Sequence, residues 1–240
     1  MKTNRLILSL LFICCTSIYG QQNASPNGSN SVGRNVEYVD LNLTSGTLWA
    51  TCNIGANSPE EYGDYFAWGE TAPKKEYSWK TYKWCKGRHD NIIKYSKLSN
   101  WGDNGFTDSK TILDLEDDAA YVIWGSNWHI PSYEQQRELI GECRWYWTVL
   151  NGVTGYRVVG KNGKSIFLPA AGCYRDDNLA DVGKKGYYWS CSLDDSRTSD
   201  ARQICIFKGF AGTFNENYSE YRSVGRTIRP VRMKQSPQMK

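Results

Sequence analysis

The sequence predicts an α+β domain in which two helices pack on short, mostly antiparallel β-sheets with a long loop-rich region. Short segments of alternating apolar and polar residues, separated by glycine-rich turns, make up most of the chain. Between residues 115 and 143 the apolar residues instead follow helical spacing. The order is therefore strands, two helices and a long run of strands, whereas a parallel sheet needs strands and helices to alternate.

The first twenty residues have the pattern of a secretory signal peptide. Two basic residues, Lys2 and Arg5, precede an apolar run, and Gly20 ends the segment. No later segment has the roughly 20 apolar residues that a spanning helix needs. Lipidation of Cys14 or Cys15 is an alternative, although neither has a small residue before it. We expect an exported protein without a transmembrane segment, located in the periplasm, on the outer-membrane surface or outside the cell.

The remaining chain divides into a leader, one domain and a tail. Residues 21–36, rich in Asn, Ser and Gly, predict a disordered leader, and residues 234–240 predict a flexible tail. Residues 37–233 have the length of a single domain. Loss of the signal peptide removes Lys2 and Arg5 and no acid, so the formal net charge falls from +4 to +2. So small a charge argues against a nucleic-acid-binding protein.

The N-terminal part of the domain predicts strands followed by an irregular region. The segments VEYVDLNL (36–43) and TLWATCNIG (47–55) alternate well enough for two strands, and GDYFAWGE (63–70) is a third candidate. Residues 80–111 show neither the helical nor the strand period. A loop of that length inside a domain is usually functional or held in place by other contacts.

The segment LEDDAAYVIWG (115–125) predicts the first helix. Its acids fall in the first turn, where the helix dipole favours negative charge, and Gly125 ends it. The expected inward face is Leu115, Ala119, Val122 and Ile123.

The segment PSYEQQRELIGEC (131–143) predicts the second helix. Ser132 and Gln135 have the spacing of a capping box, and Leu139, Ile140 and Cys143 are expected to face inward. His129, just upstream, is a candidate general base or metal ligand. Nothing near it supplies a second nitrogen or a thiolate pair, so a structural role is favoured.

A long run of strands is predicted after the second helix. The turn KNGK (161–164) joins two of them as a hairpin, because Asn and Gly accept positive φ. The predicted strands are WYWTVLNG (145–152), GYRVVG (155–160), SIFLPAAGCYR (165–175), GYYWSCSL (186–193), ARQICIFKG (201–209), GTFNENY (212–218) and RTIRPVRM (226–233).

Two acidic segments are candidate cation sites. Residues 114–118 (DLEDD) could bind calcium, but acids are ordinary at a helix start and no Asp-x-Asp-x-Asp-Gly loop is present. Residues 192–200 (SLDDSRTSD), with Asp194, Asp195 and Asp200, could hold a cation or a sugar hydroxyl, although a solvated turn is favoured. We expect no cofactor, with calcium as the alternative.

The cysteines are better read as structural than as catalytic. Six follow the signal peptide, enough for three disulfides in 15 connectivities, and no CxxC pair indicates zinc. Cys191, in YWSCS, is the most suggestive nucleophile, but a half-disulfide is favoured in an exported protein. There is no Gly-x-Ser-x-Gly elbow and no phosphate-binding glycine loop.

Five blocks of the sequence resemble one family. They are YVDLNLTSGTLWATCNIGANSPEEYGDYFAWGET (38–71), WGSNWHIPSYEQQREL (124–139), NGVTGYRVVGKNGKSIFLPAAGCYR (151–175), GYYWSCS (186–192) and SVGRTIRPVR (223–232). Their content and order are similar to the Fibrobacter succinogenes major paralogous domain family, found mainly in exported proteins of Bacteroidetes-type bacteria. The resemblance implies a C-type-lectin-like fold, with the N- and C-terminal strands close together and a loop-rich half presenting a binding surface.

The same resemblance implies a disulfide and leaves several positions unmatched. Cys52 and Cys143 stand where the family commonly has cysteine, which implies that they pair. Cys173, Cys191 and Cys205 stand where small or polar residues are expected, and a Cys191–Cys205 pair across neighbouring strands is the weaker expectation. His129 stands where the family usually has a basic residue. The Glu-Pro-Asn and Trp-Asn-Asp tripeptides of calcium-dependent lectins are absent, so calcium-dependent sugar binding does not carry over.

The function expected is that of an exported, non-catalytic binding or adhesion domain. Its ligand would be an extracellular glycan or protein, bound by the C-terminal block, where aromatic and polar residues are interleaved with small ones. An ordinary sheet edge is the alternative for each candidate residue, and Trp189 is expected in the core. The candidates are Tyr188, Arg197, Arg202, Phe210, Phe214, Asn217 and Tyr221.

Two other functions remain open at this point. One is a structural subunit of a cell-surface assembly. The other, less favoured, is an enzyme like the formylglycine-generating enzymes, for which Cys191 and Cys205 would be the reactive pair.

Overall fold

Along the chain, two short strands come first, followed by a long irregular region, two helices and a run of ten strands. A computed structural model describes residues 36–194, 196–212 and 219–234. The strands are β1 Tyr38–Asp40, β2 Thr47–Ala50, β3 Arg144–Leu150, β4 Val153–Val159, β5 Ser165–Pro169, β6 Cys173–Arg175, β7 Asn178–Ala180, β8 Lys185–Leu193, β9 Asp200–Phe207, β10 Phe210–Gly212, β11 Ser219–Tyr221 and β12 Val231–Met233. The helices are α1 Ala119–Trp124 and α2 Tyr133–Glu142, with 3₁₀ turns at Asp103–Gly105 and Leu115–Asp117.

The order of elements confirms the predicted α+β class. Every pair of named strands is antiparallel. The sheets are β1-β2-β12, β3-β4-β5, β6-β7 and a fourth in which β9 pairs with β8, β10 and β11. The predicted signal peptide, most of the predicted leader and most of the predicted tail lie outside the described residues. No helix within the described ranges is long and apolar enough to cross a membrane.

His129 has the structural role that the sequence favoured. Its backbone N–H donates to the carbonyl of Val231 at 3.0 Å, and the N–H of Val231 donates back at 2.9 Å. Because β12 also pairs with β2, this bridge ties the turn before α2 to the sheet that joins both ends of the domain. Burial lowers the pKa of the His129 imidazole, which favours its neutral form.

Helix α1 forms, and its predicted inward face is confirmed at Ala119 and wrong at the other three positions. Leu115, Val122 and Ile123 are exposed, whereas Ala119, Ala120 and Trp124 are buried. The helix begins only after Asp118, so Leu115 belongs to the preceding 3₁₀ turn and the face shifts. Gly125 ends the helix, as predicted, with φ near 95°.

Asp118 caps α1 with a buried carboxylate. One oxygen accepts from the N–H groups of Ala120 and Tyr121, at 2.8 and 3.1 Å, and the other from Ile130 at 2.8 Å. Burial raises the pKa of this carboxyl to about 6, although the three N–H donors act in the opposite direction. The single side chain therefore joins α1 to the segment that precedes α2.

We expect Asp118 to make the fold more stable in mild acid. A raised carboxyl pKa means that the folded state holds the proton more tightly, so this stabilisation is full below the unfolded value near 3.8 and is lost as the pH rises through about 6. The shift corresponds to at most about 3 kcal/mol. Urea unfolding of the wild type and Asp118→Asn at pH 4.5 and 7.5 measures it, because asparagine does not titrate.

The difference in pH dependence between the wild type and Asp118→Asn separates the contribution of Asp118 to stability from that of His129. The lowered pKa of His129 reduces stability as the pH falls below its unfolded value, but it does so in both proteins and cancels. A pH dependence that is the same in the wild type and in Asp118→Asn would contradict the prediction.

Helix α2 begins at the predicted capping box and packs on the sheet formed by β8 and β9. The Gln135 N–H donates to the Ser132 hydroxyl, and the Ser132 N–H donates to the Gln135 side chain. Leu139 is buried, while Ile140 and Cys143 are partly buried against the same apolar cluster. Gln136 is fully buried although it is polar, and its side-chain amide donates to the carbonyls of Tyr188 and Trp189.

The third strand candidate, residues 63–70, is not a strand. Phe66 makes an isolated bridge to Arg226, and the Trp68 N–H donates to the carbonyl of Arg222. The Trp68 indole N–H donates to the carbonyl of Ser190, and that of Trp189 donates to the carbonyl of Phe66, both at 2.8 Å. The segment is therefore held by backbone hydrogen bonds to residues 222–226 and by two tryptophan side chains that link it to β8.

The irregular region at 80–111 contains no named strand and is held by other contacts, in agreement with the prediction. Short bridges pair Ile92 with Cys85 and with Gly102. The guanidinium of Arg222 donates to the carbonyl of Tyr95 at 2.9 Å and lies over the rings of Trp68 and Tyr82. Three arginines near the C-terminus have at most 1% of their surface exposed: Arg222, Arg226 and Arg229.

The predicted disulfides are not formed in the structure. No disulfide joins the cysteines of the described ranges. Cys52 packs against one apolar cluster and Cys143 against another. Cys205 lies opposite Tyr187 in the β8–β9 register, four residues along β8 from Cys191, so the second pair is too far apart as well.

Candidate functional site

An open cleft of about 470 Å³ lies where the irregular region meets the C-terminal block. Residues 76–80 and 87–89 form one side, and the end of β6 together with residues 221–224 forms the other. Its volume falls in the range that small-ligand sites usually have. We call it the aromatic cleft, after Trp79, His89 and Tyr221.

Bridges on both sides fix the walls of the cleft. The Tyr77 N–H donates to the carbonyl of Asp176 at 2.7 Å, and the Asp176 N–H donates back at 3.1 Å. On the C-terminal side, Tyr174 and Gly225 exchange backbone hydrogen bonds of 2.8 and 2.9 Å. The ring of Tyr77 stacks on that of Tyr174, with centroids 5.4 Å apart. The wall formed by residues 76–80 is thus joined to β6, and β6 to the C-terminal wall.

Partly exposed aromatic rings line the cleft. The ring of Trp79 lies edge-on to Tyr221, with centroids 5.7 Å apart, and to Tyr82 at 5.5 Å. His89 lies between Trp79 and Trp101, at 6.3 and 5.4 Å. Tyr221 leaves 49% of its surface exposed. The cleft therefore offers apolar ring surface to solvent at a site where the backbone is held in place.

Arginine–carboxylate pairs stand beside the rings. Arg88 binds Asp90 through two hydrogen bonds of 2.9 and 2.8 Å, and this contact lowers the pKa of the Asp90 carboxyl to about 2. Arg175 binds Glu220 through two more, of 2.7 and 3.3 Å. Both pairs present planar groups that can donate and accept hydrogen bonds with a ligand.

Glu220 also pairs with the buried Arg226, whose Nη2 lies 3.0 Å from the carboxylate. Burial raises the pKa of the Glu220 carboxyl, but the charges of Arg226 and Arg175 outweigh it, and the pKa ends below its usual value. The carboxylate therefore stays ionised at neutral pH and fixes Arg175 on the cleft wall.

Among the residues predicted to bind a ligand, Tyr221 lies in the cleft. Arg197 is largely exposed, 3.7 Å from Asp200, and Phe210 stacks on Phe207 with centroids 5.0 Å apart; neither lines the cleft. Phe214 and Asn217 lie outside the described residues.

The assignment of Tyr188 and Arg202 to an exposed surface is wrong. Tyr188 is buried, and its hydroxyl donates to the carbonyl of Pro169 at 2.6 Å. Arg202 is buried with its Nε 3.3 Å from Asp194. Trp189 is fully buried, as expected.

The described acids of the loop at 192–200 are buried, whereas the sequence favoured a solvated turn; the exposed residues of its described part are Ser196 and Arg197. The Asp194 carboxylate accepts from the N–H groups of Ser196 and Arg197, at 2.8 and 3.0 Å, and pairs with Arg202. Asp200 is buried, and Asp195 lies outside the described residues. The acids here hold the turn between β8 and β9.

The acidic segment after residue 113 is neutralised by lysines. Ligand oxygens of Asp114, Glu116 and Asp117 lie within 4.8 Å of one another. The Lys94 Nζ lies 2.7 Å from Asp114 and 2.6 Å from Asp117, and Lys110 also binds Asp114 at 2.6 Å. Because ammonium groups already bind these oxygens, a divalent cation would have to displace them, and the cluster is a poor cation site.

Sequence reasoning did not single out Trp79, His89 or Arg175. The available signal was the two tryptophans and one histidine of the aperiodic stretch at 80–111, with Trp79 directly before it, since that stretch is too long for a plain connection. Comparison with known proteins adds no assignment, because no family model, curated protein or solved structure matches the chain.

Proposed function

We propose that this protein is an exported, non-catalytic binding domain that recognises an extracellular glycan in the aromatic cleft. The observation that carries the proposal is the exposed surface of Trp79, His89 and Tyr221 beside two bidentate arginine–carboxylate pairs. A sugar ring has apolar C–H faces that pack on aromatic rings, and its hydroxyls both donate and accept hydrogen bonds. The cleft supplies both kinds of contact.

The proposal includes the C-type-lectin-like fold that the sequence resemblance implies. Its support is that β12 pairs with β2, which brings the ends of the domain together, and that the loop-rich half forms the cleft. Export rests on the signal-peptide pattern of the first twenty residues.

The formylglycine-generating-type alternative meets a chemical obstacle. Such an enzyme needs two adjacent thiols that ionise readily. Burial raises the pKa of Cys191 to about 12 and that of Cys205 to about 11, and the β8–β9 register separates them. A glycan-binding role needs neither thiol.

Trp79→Ala is expected to weaken glycan binding by about tenfold or more, because the largest ring surface of the cleft is lost. Tyr221→Ala should act in the same direction. Binding of the exported chain to a glycan array, followed by calorimetry on the best ligand, measures both. Addition of EDTA should leave the affinity unchanged, since neither the ring contacts nor the arginine–carboxylate pairs involve a metal ion.

Tyr146→Ala is the matched control, because Tyr146 is an aromatic side chain with similar exposure that lies outside the cleft. Thermal unfolding of each variant separates lost binding from lost folding. Absence of any glycan ligand, or equal affinity in Trp79→Ala, Tyr221→Ala and Tyr146→Ala, would reject the cleft as the binding site.

A further inference from the structure

Strand β3 forms an open edge of the β3-β4-β5 sheet. All seven of its residues pair with β4, from Arg144↔Val159 to Leu150↔Val153, without a register shift. Within the described ranges, no strand or isolated bridge pairs with its other edge. Exposed edges are usually protected against pairing by short length, lysine, proline or a bulge. β3 has none of these.

The other strands at sheet edges show that protection. Six of them, β1, β6, β7, β10, β11 and β12, are three residues long, β5 ends in Pro169, and β8 makes further bridges to Gly172, Thr227 and Ile112. β3 carries only one charge, at Arg144, and leaves 50% of Tyr146 and 61% of Val149 exposed. It is the edge in this part of the chain best able to add another strand.

The hairpin geometry shows which groups face outward. Asn151 and Gly152 form a two-residue turn with φ of 48° and 85°, so Leu150 and Val153 are the hydrogen-bonded pair that closes it. Hydrogen-bonded and non-hydrogen-bonded pairs alternate along an antiparallel ladder. The backbone N–H and C=O groups of Trp145, Trp147 and Val149 therefore point away from β4.

We infer that β3 is a dimerisation strand that pairs antiparallel with β3 of a second copy of this chain. A two-fold axis at Trp147 places Trp147 opposite itself and Trp145 opposite Val149, so all three outward-facing residues form hydrogen-bonded pairs. The two sheets become one six-stranded sheet, and the exposed Val149 gains an aromatic neighbour. This role goes beyond glycan binding and does not depend on it.

The charges at the two ends of β3 favour this pairing. Arg144 begins the strand, and Glu60 lies at its other end, where its carboxylate accepts from the Asn151 side chain at 2.8 Å. In the two-fold arrangement Arg144 lies opposite Leu150 of the second copy, beside that copy's Glu60. Each dimer thus brings together two pairs of opposite charges and no pair of like charges.

The test is the association state of the exported chain, measured by sedimentation equilibrium over a range of concentrations. We expect a monomer–dimer equilibrium for the wild type. Val149→Pro should raise the dissociation constant roughly 30-fold, because two outward backbone hydrogen bonds, one from each copy, are lost. Val149→Thr keeps the N–H and the β-branched shape, and should dimerise like the wild type.

A charge swap tests the orientation. Arg144→Glu should weaken the dimer, and Arg144→Glu combined with Glu60→Arg should restore it. Circular dichroism and thermal unfolding check that Val149→Pro remains folded, as expected for an N–H outside the β3–β4 ladder.

Three outcomes would overturn the inference: a monomeric wild type at every concentration, a dimer indifferent to Val149→Pro, or a double charge variant no tighter than Arg144→Glu. Amides of Trp145, Trp147 and Val149 that resist hydrogen exchange in a monomer would instead identify a segment of the same chain as the occupant of this edge.

Discussion

Glu220→Gln is expected to destabilise the fold by about 3 kcal/mol, because it leaves a buried guanidinium without a negative charge. Arg226 has none of its surface exposed, and its Nη2 binds Glu220 at 3.0 Å. Its Nε and Nη1 have no hydrogen-bond partner. The rings of Tyr187 and Trp189 lie 4.3 and 5.1 Å from the guanidinium, but they carry no net charge to balance it.

Urea unfolding at pH 7 measures this effect, and a second substitution identifies its cause. Glu220→Gln combined with Arg226→Met should recover part of the loss, because the double variant removes the unpaired charge together with its partner. Glu142→Gln is the control, since the exposure of Glu142 is similar to that of Glu220 but its partner Lys161 is an exposed cation, so loss of the charge should change stability little. Equal destabilisation by Glu220→Gln and Glu142→Gln would contradict the prediction.

The same pair predicts a loss of stability in acid. The pKa of Glu220 is lower in the folded protein than its unfolded value of 4.5, so its stabilisation is full above that value and is lost as the pH falls through the folded pKa. This direction is opposite to that of Asp118, whose contribution grows as the pH falls from about 6. The contributions of Glu220 and Asp118 to stability therefore change in adjacent pH ranges and in opposite directions.

The order of elements could be predicted because it depends on local signals. The capping box at Ser132 and Gln135 and the turn at Asn162–Gly163 are set by residues within a few positions of each other. The inward face of α1 depended on where the helix begins. That start is fixed by the Asp118 carboxylate, which caps the N–H groups of Ala120 and Tyr121 and also accepts from Ile130, and the apolar spacing does not show these contacts.

The binding surface could not be predicted from alternation along β8. A half-buried strand exposes every second residue, and on that basis Tyr188 would face out if its neighbour Trp189 faced in. In the structure β8 is buried on both faces from Gly186 to Leu193, because residues 63–70 and α2 cover it. Both Tyr188 and Trp189 are therefore core residues.

The burial of Arg222, Arg226 and Arg229 could not be predicted from the sequence for a different reason. Arginine is usually exposed, and two of the three, Arg222 and Arg229, have their partners in distant parts of the chain. Arg229 donates to Asn53, and Arg222 donates to the carbonyl of Tyr95, each more than 120 residues away. The cleft depends on the same contacts, since its aromatic wall belongs to the region that Arg222 holds.

Arg222→Ala is expected to destabilise the protein by about 3 kcal/mol and to loosen residues 80–111. The substitution leaves a cavity between Trp68 and Tyr82 and removes the donor to the Tyr95 carbonyl. Urea unfolding measures the first effect, and hydrogen exchange of the amides in 80–111 measures the second. Arg197→Ala is the control, an exposed arginine of the same C-terminal block, and should change neither.

Arg222→Met separates the role of the guanidinium from that of its volume. Methionine fills much of the space without donating a hydrogen bond, and it also removes the cost of burying a charge, so global stability should be largely restored. The Tyr95 carbonyl would still lack its donor, so hydrogen exchange in residues 80–111 should stay fast. Glycan affinity should also fall, because Trp79 and His89 are less firmly held. If Arg222→Met also restored slow hydrogen exchange, packing alone would hold residues 80–111. If Arg222→Ala matched Arg197→Ala in stability and exchange, Arg222 would not hold these residues at all.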